Sequence, residues 1–185
     1  MPVTEPFIDL ATLKVTTPLM RRADIEQVIP HRGVMLMLDE VLWMDSTCDL
    51  GVAVKRIRDD EFWVSGHIPG FPLMPGVLMI EAGAQLASLM YYKRSAARWF
   101  AGFTRIENTV FRGMVVPGDD FYLLCRCVKY NIKRFISEVQ GVVNGQVVFE
   151  SLITGMAFPS VQWERPVLDA GKEATEGVAA DARSV

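Results

Sequence analysis

Between residues 77 and 92 the chain reads VLMIEAGAQLASLMYY, apolar around nearly its whole circumference and rich in good helix formers. That length and those residue types predict a helix of about four turns. A helix so apolar has to be covered on almost every side. Its polar exceptions, Glu81, Gln85 and Ser88, are spaced i, i+4 and i+7 and share one face. A solvated stripe on a surface helix does not suit the apolar remainder, so the stripe is expected to line a pocket or an interface.

After this helix the pattern turns extended, and residues 102–111, 120–130, 134–143 and 146–158 are predicted as strands. Asn144-Gly145, set between two valine-rich runs, predicts a tight hairpin. Pro117-Gly118-Asp119 marks another turn. Ahead of the helix, residues 22–29 suit a short helix stopped at Pro30, and 49–57 and 61–65 are short, β-rich runs. Residues 66–76 hold three prolines and three glycines and must form a structured loop.

One buried helix followed by antiparallel strands implies an α+β layer structure in which a curved sheet wraps the helix. Such a domain tends to leave a side of sheet or helix exposed, which favours a dimer. Residues 1–20 form a weakly patterned N-terminal extension, 21–159 the folded domain, and 160–185 a polar tail expected to add little to the core.

Composition narrows the field. Half of the 185 residues are hydrophobic and 22% are charged, as in a globular domain able to bury a sizeable core. A net charge of −3 gives no general footprint for nucleic acid or an anionic membrane. The opening residues lack a basic start followed by an apolar run. The longest apolar stretch falls short of the ~20 residues a bilayer span needs, so the expected location is the cytoplasm. Cys125 and Cys127 would share a strand face and read as reduced core or surface residues. Two histidines and no C-x-x-C offer little to a structural zinc. Neither a G-x-G-x-x-G nor a phosphate loop occurs, and no cofactor is expected. The G-x-S-x-G pattern of a nucleophile elbow is missing as well.

The chemistry gathers around the start of the helix. A carboxylate beside Ile80, Ala82 and Ala84 is costly to bury unless it is paired, protonated or open to a wet cavity. His67 precedes the Pro/Gly-rich loop in SGHIPGFPLMPG, the kind of stiff loop that aims a side chain. The first N–H groups of a helix starting near Gly76 have no partners within it and carry partial positive charge. Base, acid and oxyanion donors are the parts needed to remove a C–H beside a carbonyl and expel a β-hydroxyl. Neutral His67 would take the α-proton, an imidazole's ordinary pKa of ~6.5 suiting that task. Glu81, its pKa expected to be raised by apolar neighbours, would protonate the departing hydroxyl. The helix N-terminus would hold the carbonyl oxygen as enolate charge develops. His31, at the end of the first helix, is expected to be structural. The basic residues Arg105, Arg112, Lys129, Lys133 and Arg134 read as solvated surface that could also meet an acidic carrier protein.

The stretch from Gly66 to Ala82, GHIPGFPLMPGVLMIEA, resembles the active-site segment of 3-hydroxyacyl-(acyl-carrier-protein) dehydratases of the FabZ type, relatives of FabA. Ile29-Pro30-His31-Arg32 followed by Met35-Leu36-Met37-Leu38-Asp39 resembles that family's N-terminal motif. Phe100-Ala101-Gly102, Phe111-Arg112 and Val116-Pro117-Gly118-Asp119 resemble the strand and turn after its central helix. The resemblance spans roughly residues 22–158. It implies a hot-dog fold and a homodimer, with a trimer of dimers left open. It also implies two active sites at the subunit interface, each joining His67 of one subunit to Glu81 of the other. Gly76, Val77, Phe71 and Gln85 would serve oxyanion and substrate binding. The acyl chain would arrive on the phosphopantetheine arm of an acyl carrier protein, and neither metal nor organic cofactor would be needed.

Glutamate at 81 resembles the branch that only dehydrates, whereas the isomerising branch usually has aspartate. Ile68 replaces the usual phenylalanine, Gly33-Val34 an aromatic-proline pair, and Gly113-Met114 a basic-proline step. These departures bear on chain length and head group. Two other functions share the fold: a thioesterase using the carboxylate to activate water, and a non-catalytic acyl-binding subunit. The first gives His67 no purpose, and the second predicts loss of His67 or Glu81.

Overall fold

In the computed structural model, residues 4–13, 15–95 and 99–162 are described. The expected tail lies almost wholly outside them. β1 (Met20–Arg21) leads into α1 (Arg22–Glu26), and a 3-10 turn follows at Gly33–Met35. β2 (Glu40–Met44) and β3 (Leu50–Arg56) precede the long helix α2 (Gly76–Arg94). The chain then lays down β4 (Trp99–Phe111), β5 (Asp120–Asn131), β6 (Arg134–Val143) and β7 (Gln146–Gln162).

The strands form one antiparallel sheet in the order β1-β2-β3-β5-β6-β7-β4. β5, β6 and β7 form a meander, and the β6–β7 turn is the expected two-residue hairpin. Asn144 and Gly145 both have positive φ, 50° and 75°, as a type I′ turn requires. β3 and β5 are neighbours in the sheet, yet the chain joins them only after building α2 and the far edge strand β4. That route carries the helix across the inner face. Phe121, Leu123 and Cys125 alternate inward from β5 into one core with Ala82, Leu86 and Leu89 of the helix. Ile25, Ile29, Leu36, Leu38, Trp63 and Met74 belong to the same core, so the helix is covered by more than the sheet.

The N-terminal extension has a packing role that its weak pattern did not disclose. The alternate residues Val52, Leu124, Val142 and Val147 form a second buried cluster, with Phe7, Ile8, Leu10 and Leu13 laid over it. Since successive strand residues point to opposite faces, this segment covers the outer face of the sheet. The Phe7 N–H donates to Gln140 Oε1 at 2.9 Å, and Gln140 Nε2 donates to the Glu5 carbonyl at 3.3 Å.

Residues 61–65, read as β-rich, form turns instead. The Val64 N–H donates to the Glu61 carbonyl, and the Gly66 and His67 N–H groups both donate to that of Trp63. Trp63 is buried, and Glu61 meets the buried Lys55 ammonium at 2.6 Å. Anchoring both side chains inward closes the backbone on itself. α1 is also shorter than expected, and β1 and β2 were not foreseen. Two residues are too few for a periodicity, and β2 is mostly half-buried.

Candidate active site

The loop before α2 is a chain of local turns tied to the body of the domain. The Phe71 N–H donates to the Ile68 carbonyl at 2.9 Å, Leu73 to Phe71 at 2.8 Å, and Met74 to Val115 at 2.9 Å. Gly70, at φ +81°, sits where other residues are strained. His67 rides on this loop, exposed, with Nδ1 2.7 Å from the Leu73 carbonyl oxygen. A carbonyl only accepts, so Nδ1 carries the proton. In the neutral ring Nε2 is then a bare lone pair facing away from that contact.

Pro75 caps α2, and the helix begins at Gly76. A Cβ on Gly76 would lie 2.8 Å from the Phe111 ring, so glycine lets the helix start press against β4. Val77, on the first turn, is 70% exposed, and Phe71, Ile68 and Met114 are exposed as well. These apolar groups surround the His67 loop with nothing laid over them among the described residues.

Glu81 lies one turn into the helix, its side chain 19% exposed. It opens on a cavity of about 260 Å³ that Gln85 and Ser88 also line, with Phe100–Phe103 of β4 opposite. The polar stripe therefore lines a pocket, as its spacing predicted. His67 is not among the residues lining that cavity, so a single chain does not bring His67 into the pocket of Glu81.

Gln85 is 1% exposed and fully engaged. Its Nε2 donates to Glu81 Oε1 at 2.9 Å and to the Met35 carbonyl at 2.7 Å, and its Oε1 accepts from the Met37 N–H at 2.8 Å. In the single chain Gln85 thus positions Glu81 and fastens the segment after α1.

His31, expected to be structural, places Nε2 3.3 Å from Glu81 Oε1. Sequence reasoning missed this pairing. The available signal was a histidine directly after Pro30, whose ring fixes the backbone that leads into it.

Glu81 also departs from the expected ionisation. Burial does push its pKa up, but the hydrogen bonds from His31 and Gln85, helped by the charge His31 bears when protonated, outweigh burial and leave it below the ordinary value. The apolar neighbours were read correctly. The two donors were invisible in a one-dimensional pattern. Cys125 and Cys127 are free thiols, the first buried and the second half-buried.

No helix among the described residues is long and apolar enough to cross a membrane. Residues 29–151 match the model of the FabA-like domain family. A 3-hydroxyacyl-(acyl-carrier-protein) dehydratase FabZ of Lawsonia intracellularis is 33% identical, over 71% of this chain and 88% of its own length. The FabZ of Nitratidesulfovibrio vulgaris is 35% identical, over 74% of this chain and 92% of its own. Among solved structures, the dehydratase heterocomplex ApeI:P from Xenorhabdus doucetiae superposes with a TM-score of 0.62 at 14% identity, covering 72% and 90% of the two chains. The long helix laid on a seven-stranded antiparallel sheet is thus a hot-dog fold, and the chain belongs to the FabA-like domain family.

Proposed function

We propose that the protein is a dehydratase converting a (3R)-hydroxyacyl thioester, carried on acyl carrier protein, to the trans-2-enoyl thioester. The observation that carries this reading is the Nδ1 contact of His67 with the Leu73 carbonyl at 2.7 Å, which leaves Nε2 free as a base. His67 takes the α-proton, the N–H groups at Gly76 and Val77 receive the enolate charge on the thioester oxygen, and Glu81 protonates the departing β-hydroxyl. Phe71 and Gln85 complete the site as a substrate wall and a support for Glu81.

Base and acid come together across a homodimer. β4 is the sheet's 13-residue edge strand, with Phe100, Phe103, Ile106 and Phe111 exposed along it. An edge this long and apolar calls for pairing, and pairing two copies there would close both sites. Closure also answers the ionisation of Glu81. Burial is already the largest influence on it, and an acyl chain that expels water from the cavity strengthens burial until the protonated acid prevails.

The test is enoyl-thioester absorbance with 3-hydroxyacyl substrates of several lengths, on wild type, His67→Ala and Glu81→Gln. Wild type is expected to form enoyl product reversibly and each variant to lose at least ~100-fold while remaining folded. Near-normal turnover by His67→Ala would sink the mechanism. Thiol release without enoyl product would move the assignment to thioesterase.

A further inference from the structure

His31 does more than end a turn. Arg32 donates to the carbonyls of Glu26, Ile29 and His31 itself, each at 2.7 Å. Arg22 donates to the carbonyls of Gly33 at 2.6 Å and Leu36 at 3.3 Å, and Gln85 grips Met35 and Met37 from the helix. Three long side chains thus stiffen seven residues of backbone around one imidazole. Such a frame is far more than a passive surface histidine needs.

The imidazole is aimed at one atom. His31 Nε2 and Gln85 Nε2 both approach Oε1 of Glu81, at 3.3 and 2.9 Å, and Oε2 has no hydrogen-bond partner among the described residues. His31 Nδ1 is buried without a partner. A proton there would have no acceptor, whereas one on Nε2 has the Glu81 carboxyl. Among the described residues lining the cavity, from the segment after α1, from α2 and from β4, His31 and Glu81 are the titratable ones.

We propose that His31, as its Nε2–H tautomer, is a positioning residue that works with Gln85 to hold Glu81 Oε1, so that Oε2 carries the proton delivered to the leaving hydroxyl. This rests on the dehydratase reading and adds a residue to it. When the O–H bond breaks, the negative charge left on Glu81 finds two donors already in place, and no reorganisation is needed at that moment. Removing the imidazole therefore slows the chemical step rather than weakening substrate binding.

The experiment combines nitrogen NMR of His31 in the wild-type protein with kinetics and carbon NMR titration of Glu81 in wild type, His31→Ala and His31→Gln. The glutamine amide can place an N–H near the position of Nε2. Expected are an Nε2–H tautomer in wild type and a kcat lowered about 10-fold or more in His31→Ala with KM changed less than about twofold. His31→Gln should recover most of that loss, and Glu81 should titrate at higher pH in His31→Ala. An Nδ1–H tautomer in wild type overturns the proposal even if neither variant folds. So does full activity in His31→Ala, equal loss in both variants, or an unmoved Glu81 titration. Failure of wild type to form any enoyl product would instead sink the dehydratase reading, with the tautomer and the titration still deciding whether His31 holds the carboxylate.

Discussion

Glu81 shows how little a residue's own neighbours in sequence say about its charge. Burial among Ile80, Ala82 and Ala84 favours the acid, while two side chains from 4 residues along and 50 residues back favour the carboxylate and prevail. Because its pKa is lower in the folded chain than unfolded, Glu81 contributes stability that is fully present well above its ordinary value of 4.5. That contribution is lost as pH falls through the folded-state value. Wild type is therefore expected to lose more stability than Glu81→Gln between about pH 6 and pH 3, measured by urea unfolding. Parallel profiles would show that the His31 and Gln85 contacts do not favour the carboxylate. His67 was legible because its loop is written in prolines and glycines, and its tautomer was not, since that depends on a carbonyl folded back onto the ring.

At the level of elements, the turn carrying His67 is held by a buried charge pair rather than by strand pairing. Lys55 on β3 meets Glu61 at 2.6 Å, with Asp39 at 3.8 Å and Arg58 closing the group. Breaking such a pair from one side costs more than forming it contributes, because the remaining charge stays buried. Glu61→Ala should destabilise the fold by about 3 kcal/mol and lower turnover by loosening the loop before His67. A loss below ~1 kcal/mol in chemical denaturation would mean that water reaches Lys55. The helix, the hairpin at Asn144-Gly145 and the four strands after the helix were all legible, since each is specified by local periodicity or by a positive φ that few residues tolerate. The turn at 61–65 was misread because the pattern of large apolar residues there matches a strand. What bends it is the inward anchoring of Trp63 together with the ion pair to β3.

One chain leaves the long apolar edge at β4 uncovered among the described residues and His67 outside the cavity of Glu81, and the proposed homodimer would answer both. A charge on that edge, as in Ile106→Lys, should shift the protein toward monomer in sedimentation and abolish turnover while leaving the fold intact. An unchanged oligomer with full activity would place the interface elsewhere. The sequence by itself determined the central helix that carries Glu81, the antiparallel sheet after it, and the stiff loop that sets His67 ahead of that helix. Local spacing and conformational preference are enough to specify all of these. Only the tertiary structure decided that the N-terminal segment packs on the outer face of the sheet, that His31 reaches Glu81, and that the contacts of the helix carboxyl favour its ionised form. Each of these depends on side chains meeting across tens of residues, where the cost of burial is set by the partner that chain folding delivers.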